Sequence, residues 1–283
     1  MDRTRASYLV IGLLGLSCVV FATGCIQSVE TKVHAPSIVK PMPQTIASGP
    51  RHVCAIVDDG EVQCWGNNEH RQLGHDAMPL ANAPRRVTGL PPIAEVSVGS
   101  QHSCARTMDG EVYCWGGRHG LPKRVKALSG VKKIASGGSR TCVVDDSGTQ
   151  CFRYDRLSLS MMSVGGMEDV VSLSVGQQHV CGLTGPGEVL CWGDNSSGQL
   201  GDGTEIHRAI PVQVGDDFRA LQISCGHAHT CATSSNGRAY CWGSNGAGQV
   251  GRSGGGALNQ PQLVRGLEGV QQVVAGDIFS CAR

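Results

Sequence analysis

Apolar and polar residues alternate along this chain in short runs broken by glycine, and the runs come in pairs. On either side of Asp58-Asp59-Gly60 the flanks match rung for rung, so a three-residue loop sets Val57 opposite Glu61 and, three rungs on, Cys54 opposite Cys64. The pattern predicts a β-hairpin carrying a cross-strand cysteine pair. Gly60 stands third in the loop, where a type I turn followed by a left-handed residue calls for glycine. Turn chemistry and cysteine register therefore point to one local structure.

The same wording returns at Cys104 to Gly116, Cys181 to Gly193 and Cys231 to Gly243, with two cysteines ten apart, glycine six after the first, and Trp-Gly after the second. All four tryptophans, Trp65, Trp115, Trp192 and Trp242, hold this one position, beside the cysteine pair, where packing between units is the expected role. Facing antiparallel residues lie about 4.5 to 5.5 Å apart at Cα, inside the range of about 4.4 to 6.8 Å for a disulfide. Cys54–Cys64, Cys104–Cys114, Cys181–Cys191 and Cys231–Cys241 are thus expected as bridges. The fifth pair, Cys142–Cys151, is nine apart: Gly148 keeps its place, one residue is missing after it, and Phe152 replaces Trp. A one-residue slip reverses side-chain facing, so this bridge is expected to need a bulge.

First cysteines fall at 54, 104, 142, 181, 231 and 281. Gly-x-x-His precedes the first cysteine at Gly49 to His52, Gly99 to His102, Gly176 to His179 and Gly226 to His229, while the third and sixth units carry Arg140 and Phe279 instead. Pro84, Pro122, Pro211 and Pro261 each stand fifteen residues before the unit glycine, followed by β-branched residues. Three units add a Gln-Leu-Gly or Gln-Val-Gly turn after Trp-Gly. No stretch keeps a helical period. A repeat of roughly 40 to 50 residues made of short strands is the length of a propeller blade.

Residues 1–24 differ in kind. Arg3 and Arg5 precede an apolar run from Tyr8 to Phe21, and Ala22-Thr23-Gly24 leads to Cys25. The run is shorter than the ~20 residues of a membrane span, so a cleaved signal is the reading. Gly24-Cys25 resembles the lipobox of bacterial lipoproteins, which implies cleavage before Cys25 and its diacylation. By the same resemblance, Ile26 after Cys25 points to outer-membrane sorting. Residues 25–46, with Pro36, Pro41 and Pro43, read as a lipidated tether, and 47–283 as the repeat domain. Without residues 1–24 the chain holds 22 basic and 22 acidic residues. A nucleic-acid partner would call for a basic stripe, and none is visible. Export also explains the cysteines, since disulfides persist in oxidising compartments.

The pattern Gly-x-x-His-x-Cys-Ala, then Gly, then Cys-Trp-Gly, followed by Asn195 to Gly201 in the form Asn-x-x-Gly-Gln-Leu-Gly, resembles the regulator of chromosome condensation repeat family in its cysteine-paired, exported bacterial form. The resemblance covers residues 45 to 283. It implies an all-β propeller of four-stranded blades, here about five full blades and a partial sixth, against seven in the best-known members. The hairpin opened by Cys281 stops at Arg283, so the expectation is a truncated product or a strand that closes on the first blade.

Of fourteen cysteines, Cys18 leaves with the signal and Cys25 takes lipid; Cys225 and Cys281 fall outside the five pairs and are expected as thiols or mispaired. Zinc would need four convergent ligands where each unit offers one histidine and two facing cysteines. Cys225, one residue before Gly226, reads as a small buried side chain rather than a nucleophile. The stretch Asp194 to Glu205 has acids at its first and twelfth positions, but Gln199 holds the place where a calcium loop requires glycine. The recurrent histidines are expected to bond a neighbouring loop backbone. No cofactor, metal or catalytic residue is therefore expected.

What remains is an envelope-anchored propeller that binds an envelope or extracellular protein through its loops, with the membrane met only through the lipid. Candidate contact residues are Glu69, His70, Arg71, Glu205, His207 and Arg208, which depart most from the repeat. The rival readings are a polysaccharide-binding protein and a hydrolase inhibitor. A nucleotide-exchange role is disfavoured by the signal.

Overall fold

The computed structural model describes residues 46–75, 78–117, 119–154 and 161–283. The signal, Cys25 and most of the tether lie outside these residues. Five four-stranded antiparallel sheets follow one another, each a simple up-and-down meander. The first is β1 (Ile46–Ser48), β2 (His52–Ile56), β3 (Val62–Asn67) and β4 (Leu80–Arg86); the second is β5 (Ile93–Val98), β6 (His102–Thr107), β7 (Val112–Gly116) and β8 (His119–Arg124). The third runs β9 (Lys133–Gly137), β10 (Arg140–Asp145), β11 (Gly148–Arg153) and β12 (Met162–Val164). The fourth is β13 (Val170–Val175), β14 (His179–Thr184), β15 (Val189–Gly193) and β16 (Arg208–Gln213), and the fifth β17 (Gln222–Cys225), β18 (His229–Thr233), β19 (Ala239–Gly243) and β20 (Leu258–Leu263). A two-stranded sheet, β21 (Val273–Ala275) and β22 (Ser280–Ala282), begins a sixth blade.

The first strands of all six blades line one central channel of about 470 Å³, with Ser48, Val98, Ala135, Val175, Cys225 and Ala275 on its wall. This is a β-propeller. The four repeat prolines fall in β4, β8, β16 and β20, the outermost strand of each blade. Edge strands tolerate a missing N–H, which is why proline sits there. Core residues collect between blades: Trp115 of the second packs with Cys54, Val62 and Leu73 of the first, and Trp242 of the fifth with Cys181, Val189 and Leu200 of the fourth. Phe152 enters the core of the second blade with Cys104, Cys114 and Leu128. Trp115, Trp192 and Trp242 are thus inter-blade packing residues, while Trp65 of the first blade is half-buried and joins none of these cores.

Five disulfides join facing rungs, with Cα separations from 4.0 Å at Cys142–Cys151 to 4.2 Å at Cys181–Cys191. The third hairpin corrects the expected slip. Cys142 faces Cys151, Val144 faces Thr149 and Asp145 faces Gly148, with only Asp146-Ser147 between. The missing residue comes out of the loop, not the strand, so register survives without a bulge in the pair. Gly148 consequently stands on a ladder rung, where it still takes a positive φ of 107°. In the first hairpin Asp59 shares the left-handed region with Gly60 (φ 59° and 78°), a place aspartate tolerates better than most residues.

Candidate functional site

The recurrent histidines close the blades on one another. His52 Nε2 lies 2.7 Å from Ser103 Oγ of the next blade, His102 Nε2 2.8 Å from Thr141 Oγ1, His179 Nε2 2.9 Å from Thr230 Oγ1, and His229 Nε2 3.0 Å from Ser280 Oγ. Ser103, Thr230 and Ser280 in turn donate to the carbonyls of Gln72, Gln199 and Gln249. A hydroxyl has one proton to give, so it accepts from the imidazole, which must carry its hydrogen on Nε2. The expectation of a backbone acceptor is corrected: the acceptor is a side-chain hydroxyl one blade on. Where the third blade has Arg140 for histidine, the fourth has Val180 for the hydroxyl, and donor and acceptor are lost together. Burial drives His52 and His179 down to a pKa of about 3 and His229 to about 4, which keeps them neutral.

The other polar motif groups are equally committed. Asn195 Oδ1 accepts from Leu200 N, Gln199 Oε1 from Ser197 N, and Gln199 Nε2 donates to Asp194 Oδ2 at 2.7 Å. Asn68 and Asn245 repeat the first of these bonds. Asp194 is therefore engaged by its own turn rather than set out for a cation. Ligand atoms of His179, Cys181 and Cys225 lie within 4.8 Å of one another. Yet Cys181 is bonded to Cys191 and His179 to Thr230, so the set does not fit a zinc ion. Cys225 stands outside the disulfides, and burial pushes its thiol up to about 12. A thiol that stays protonated is a poor nucleophile. Cys281 also stands outside the five bridges.

The loops joining first to second and third to fourth strands make one face, here called the upper face; the hairpin turns make the lower. All six candidate contact residues come to the upper face or the strand entering from it. Glu69 and Arg71 are exposed. Glu205 is exposed, but Arg208 is tied to Asp202 at 2.7 Å. His207 Nδ1 lies 2.9 Å from Asp194 Oδ1 and 3.1 Å from Asn195 N.

Of the six, His70 lines a pocket. That pocket, about 520 Å³, opens on the upper face across blades 1 to 4 and is walled by His70, Ser100, Gln101, His102, Arg140, Arg153 and Tyr154 with Gln177 and Gln178. Arg140 and Arg153 face each other across β10 and β11. Burial first, then Arg153, holds the Arg140 guanidinium below its ordinary pKa. Tyr154 packs its ring 5.6 Å from His102 and donates its hydroxyl to the Cys114 carbonyl at 2.9 Å. Ser100 Oγ donates to Gln177 Oε1 at 3.1 Å, joining blades 2 and 4 over the third. In the sequence Arg140 shows only as a departure from histidine; Arg153 faces it because the third hairpin keeps its register.

The profile of the regulator of chromosome condensation (RCC1) repeat matches residues 59–106, 186–233 and 236–283, half of the chain, and a second RCC1 repeat profile matches 44–72, 170–199 and 221–249. The chain belongs to the RCC1 repeat family. Over 209 residues it is 31% identical to the ultraviolet-B receptor UVR8 of Arabidopsis thaliana, covering 62% of this chain and 47% of the receptor. Over 225 residues it is 31% identical to the mouse (Mus musculus) E3 ubiquitin-protein ligase HERC2, covering 68% of this chain and 5% of the ligase. The chain thus spans about half the length of one curated relative and a small part of the other. Among solved structures, Prp20p of Saccharomyces cerevisiae superposes with a TM-score of 0.75 at 19% identity, covering 84% of this chain and 67% of that one. Human WBSCR16 gives 0.73 at 20%, covering 84% and 71%. These two likenesses speak for the RCC1 propeller fold. Neither repeat profile matches residues 107–169, the stretch that holds Arg140, Arg153 and Tyr154.

Proposed function

We propose that this RCC1-repeat protein is a non-catalytic interaction module, exported, lipid-anchored to the cell envelope at Cys25, that takes a protein partner on its upper face. One observation carries the reading. The repeat's buried histidines are spent on joining blades, whereas Arg140, Arg153 and Tyr154, from the stretch that neither repeat profile matches, line one upper-face pocket with His70. A half-buried charge that departs from the repeat is the kind of group that functional sites favour. The fold-similar Prp20p has binding properties toward Gsp1p and histones, which agrees with protein binding as the mode. Export, the lipid site and an outer-membrane or cell-surface location belong to the same proposal, supported by the basic and apolar run of residues 1–24 and by Gly24-Cys25.

The test is a photo-crosslinking residue placed at Glu69 on the upper face and, separately, at exposed Met108 in a lower-face turn, in whole cells. The expected result is a discrete protein adduct from position 69 and none from position 108. Adducts from neither, the same adduct from both, or turnover of an envelope glycan by the purified protein would overturn the reading.

A further inference from the structure

We infer that Asn236, at the tip of the fifth blade's hairpin, is a site of covalent modification: spontaneous deamidation by way of a succinimide, with solvent water as the co-reactant. The chain holds two Asn-Gly steps, Asn236-Gly237 and Asn245-Gly246. In such a step the glycine nitrogen attacks the asparagine side-chain carbonyl carbon, because no Cβ on the glycine hinders the approach. The new C–N bond closes a five-membered ring, and the side-chain nitrogen leaves as ammonia with the proton from the glycine nitrogen. Water then opens the ring at one carbonyl or the other. One opening gives aspartate; the other gives isoaspartate, whose backbone runs through the former side chain. No electrons are exchanged with an outside oxidant or reductant.

The fold sets the two steps apart. Asn245 is 3% exposed; its Nδ2 donates to the carbonyls of Arg252 at 3.0 Å and Gly254 at 2.6 Å, and its Oδ1 accepts from Val250 N at 3.0 Å. Its carboxamide is locked on both sides and shielded from water. Asn236 is exposed on the lower face. Ser234 Oγ lies 2.6 Å from Asn236 Oδ1, nearer than its other acceptor, the Arg238 carbonyl at 3.1 Å. That hydroxyl draws electron density from the carbon to be attacked. The attacking nitrogen, Gly237 N, is held by one turn bond to the Ser234 carbonyl at 3.0 Å. An exposed hairpin tip opens at little cost in free energy, and the opening frees the nitrogen.

The two products differ in what they do to the blade. The first and second blades carry Asp59 and Asp109 just before the turn glycine, where the fifth has Asn236, so aspartate there keeps the repeat's own turn. Isoaspartate adds a carbon to the backbone of that turn. Gly237 O accepts from Val270 N at 2.9 Å, at the entry to the sixth blade, as Gly110 O accepts from Val131 N at 3.0 Å and Gly187 O from Ala220 N at 2.8 Å at the entries to the third and fifth. A lengthened turn moves that carbonyl, and the sixth blade loses its tie to the fifth at the lower face.

The test is prolonged incubation of the purified full-length protein at mildly alkaline pH, followed by peptide mass spectrometry for the amide-to-acid mass gain and enzymatic methylation to count isoaspartate. Expected in the folded protein is conversion of Asn236 at least about tenfold faster than of Asn245, with the two rates converging in denaturant. Asn236→Gln should abolish the isoaspartate, and the aged wild type should melt below the equally aged variant. Equal rates at the two asparagines in the folded protein, or the same ratio kept in denaturant, would overturn the assignment of the site. Equal melts after conversion would overturn its link to the sixth blade.

Discussion

His179 reaches across the blade boundary to Thr230, Nε2 to Oγ1 at 2.9 Å, and the same Oγ1 donates to the Gln199 carbonyl at 2.9 Å. One hydroxyl thus satisfies two buried groups of the preceding blade. Thr230→Val keeps the shape and removes the hydroxyl, leaving both stranded. Stranding a buried polar group costs about 1 to 3 kcal/mol, so the melting temperature should drop by several degrees. The reciprocal change, Val180→Thr, gives a hydroxyl to a boundary that has no histidine to donate to it, and should bring no gain. Thermal melts of both variants decide the point; an unchanged melt for Thr230→Val would sink the clasp.

Acid should weaken the propeller through these histidines. Burial lowers His52 and His179 to about 3 and His229 to about 4, against an ordinary value of 6.5. With the folded value depressed, the unfolded chain binds more protons between the two values. Stability is therefore full above pH 6.5 and falls as pH drops from 6.5 toward 4 and 3. Linkage gives at most about 1.4 kcal/mol per pH unit for a fully buried histidine. Melts from pH 7 to 4.5 should fall steadily, and His179→Gln, which can still donate to Thr230, should flatten the slope. A wild-type curve flat to pH 4.5 would contradict it.

The disulfides should matter as much as the core. In the chain-entropy model, closing a ten-residue loop contributes at most about 2.5 to 3 kcal/mol, and five such loops rival a domain's net stability of about 5 to 15 kcal/mol. The ten sulfurs are buried, so a reductant reaches them only when the hairpins open. Reduction in the native buffer should be slow. After reduction in denaturant and return to buffer, the melt should shift sharply downward or disappear; the same melt with and without reductant, after that cycle, would refute it.

Anchoring should rest on one atom. If Cys25 carries the lipid as proposed, Cys25→Ser removes the sulfur that bears it, and the protein should lose labelled palmitate and leave the membrane fraction. Retention of the label in the variant would show that lipid sits elsewhere or is absent.

Much of the blade was legible because its spacing is rigid. The interval from Cys54 to Cys64 fixes a loop length, and the loop length fixes which residues face each other. The third hairpin defeated the same reasoning, since a count of nine says that one residue is gone but not whether loop or strand gave it up. The structure took it from the loop, and that placed Arg153 opposite Arg140. The histidine acceptor was hidden for a different reason: Ser103 and Thr230 are 51 residues beyond His52 and His179. Nothing local to a hairpin announces a partner in the next blade. The joint loss at Arg140 and Val180 was the available signal. The pocket was illegible because its wall comes from the loops of four blades, and the alternation of one strand cannot show what those loops enclose.

The absent clasp between blades 3 and 4 leaves that boundary to apolar packing and close backbone contact, with Gly137 and Gly138 set against Val175 and Gln177. The pocket opens over this same boundary, taking wall residues from both sides. A ring is as firm as its weakest seam, so this boundary, lacking the polar clasp of its neighbours, is where the circle of blades should open first under heat or load.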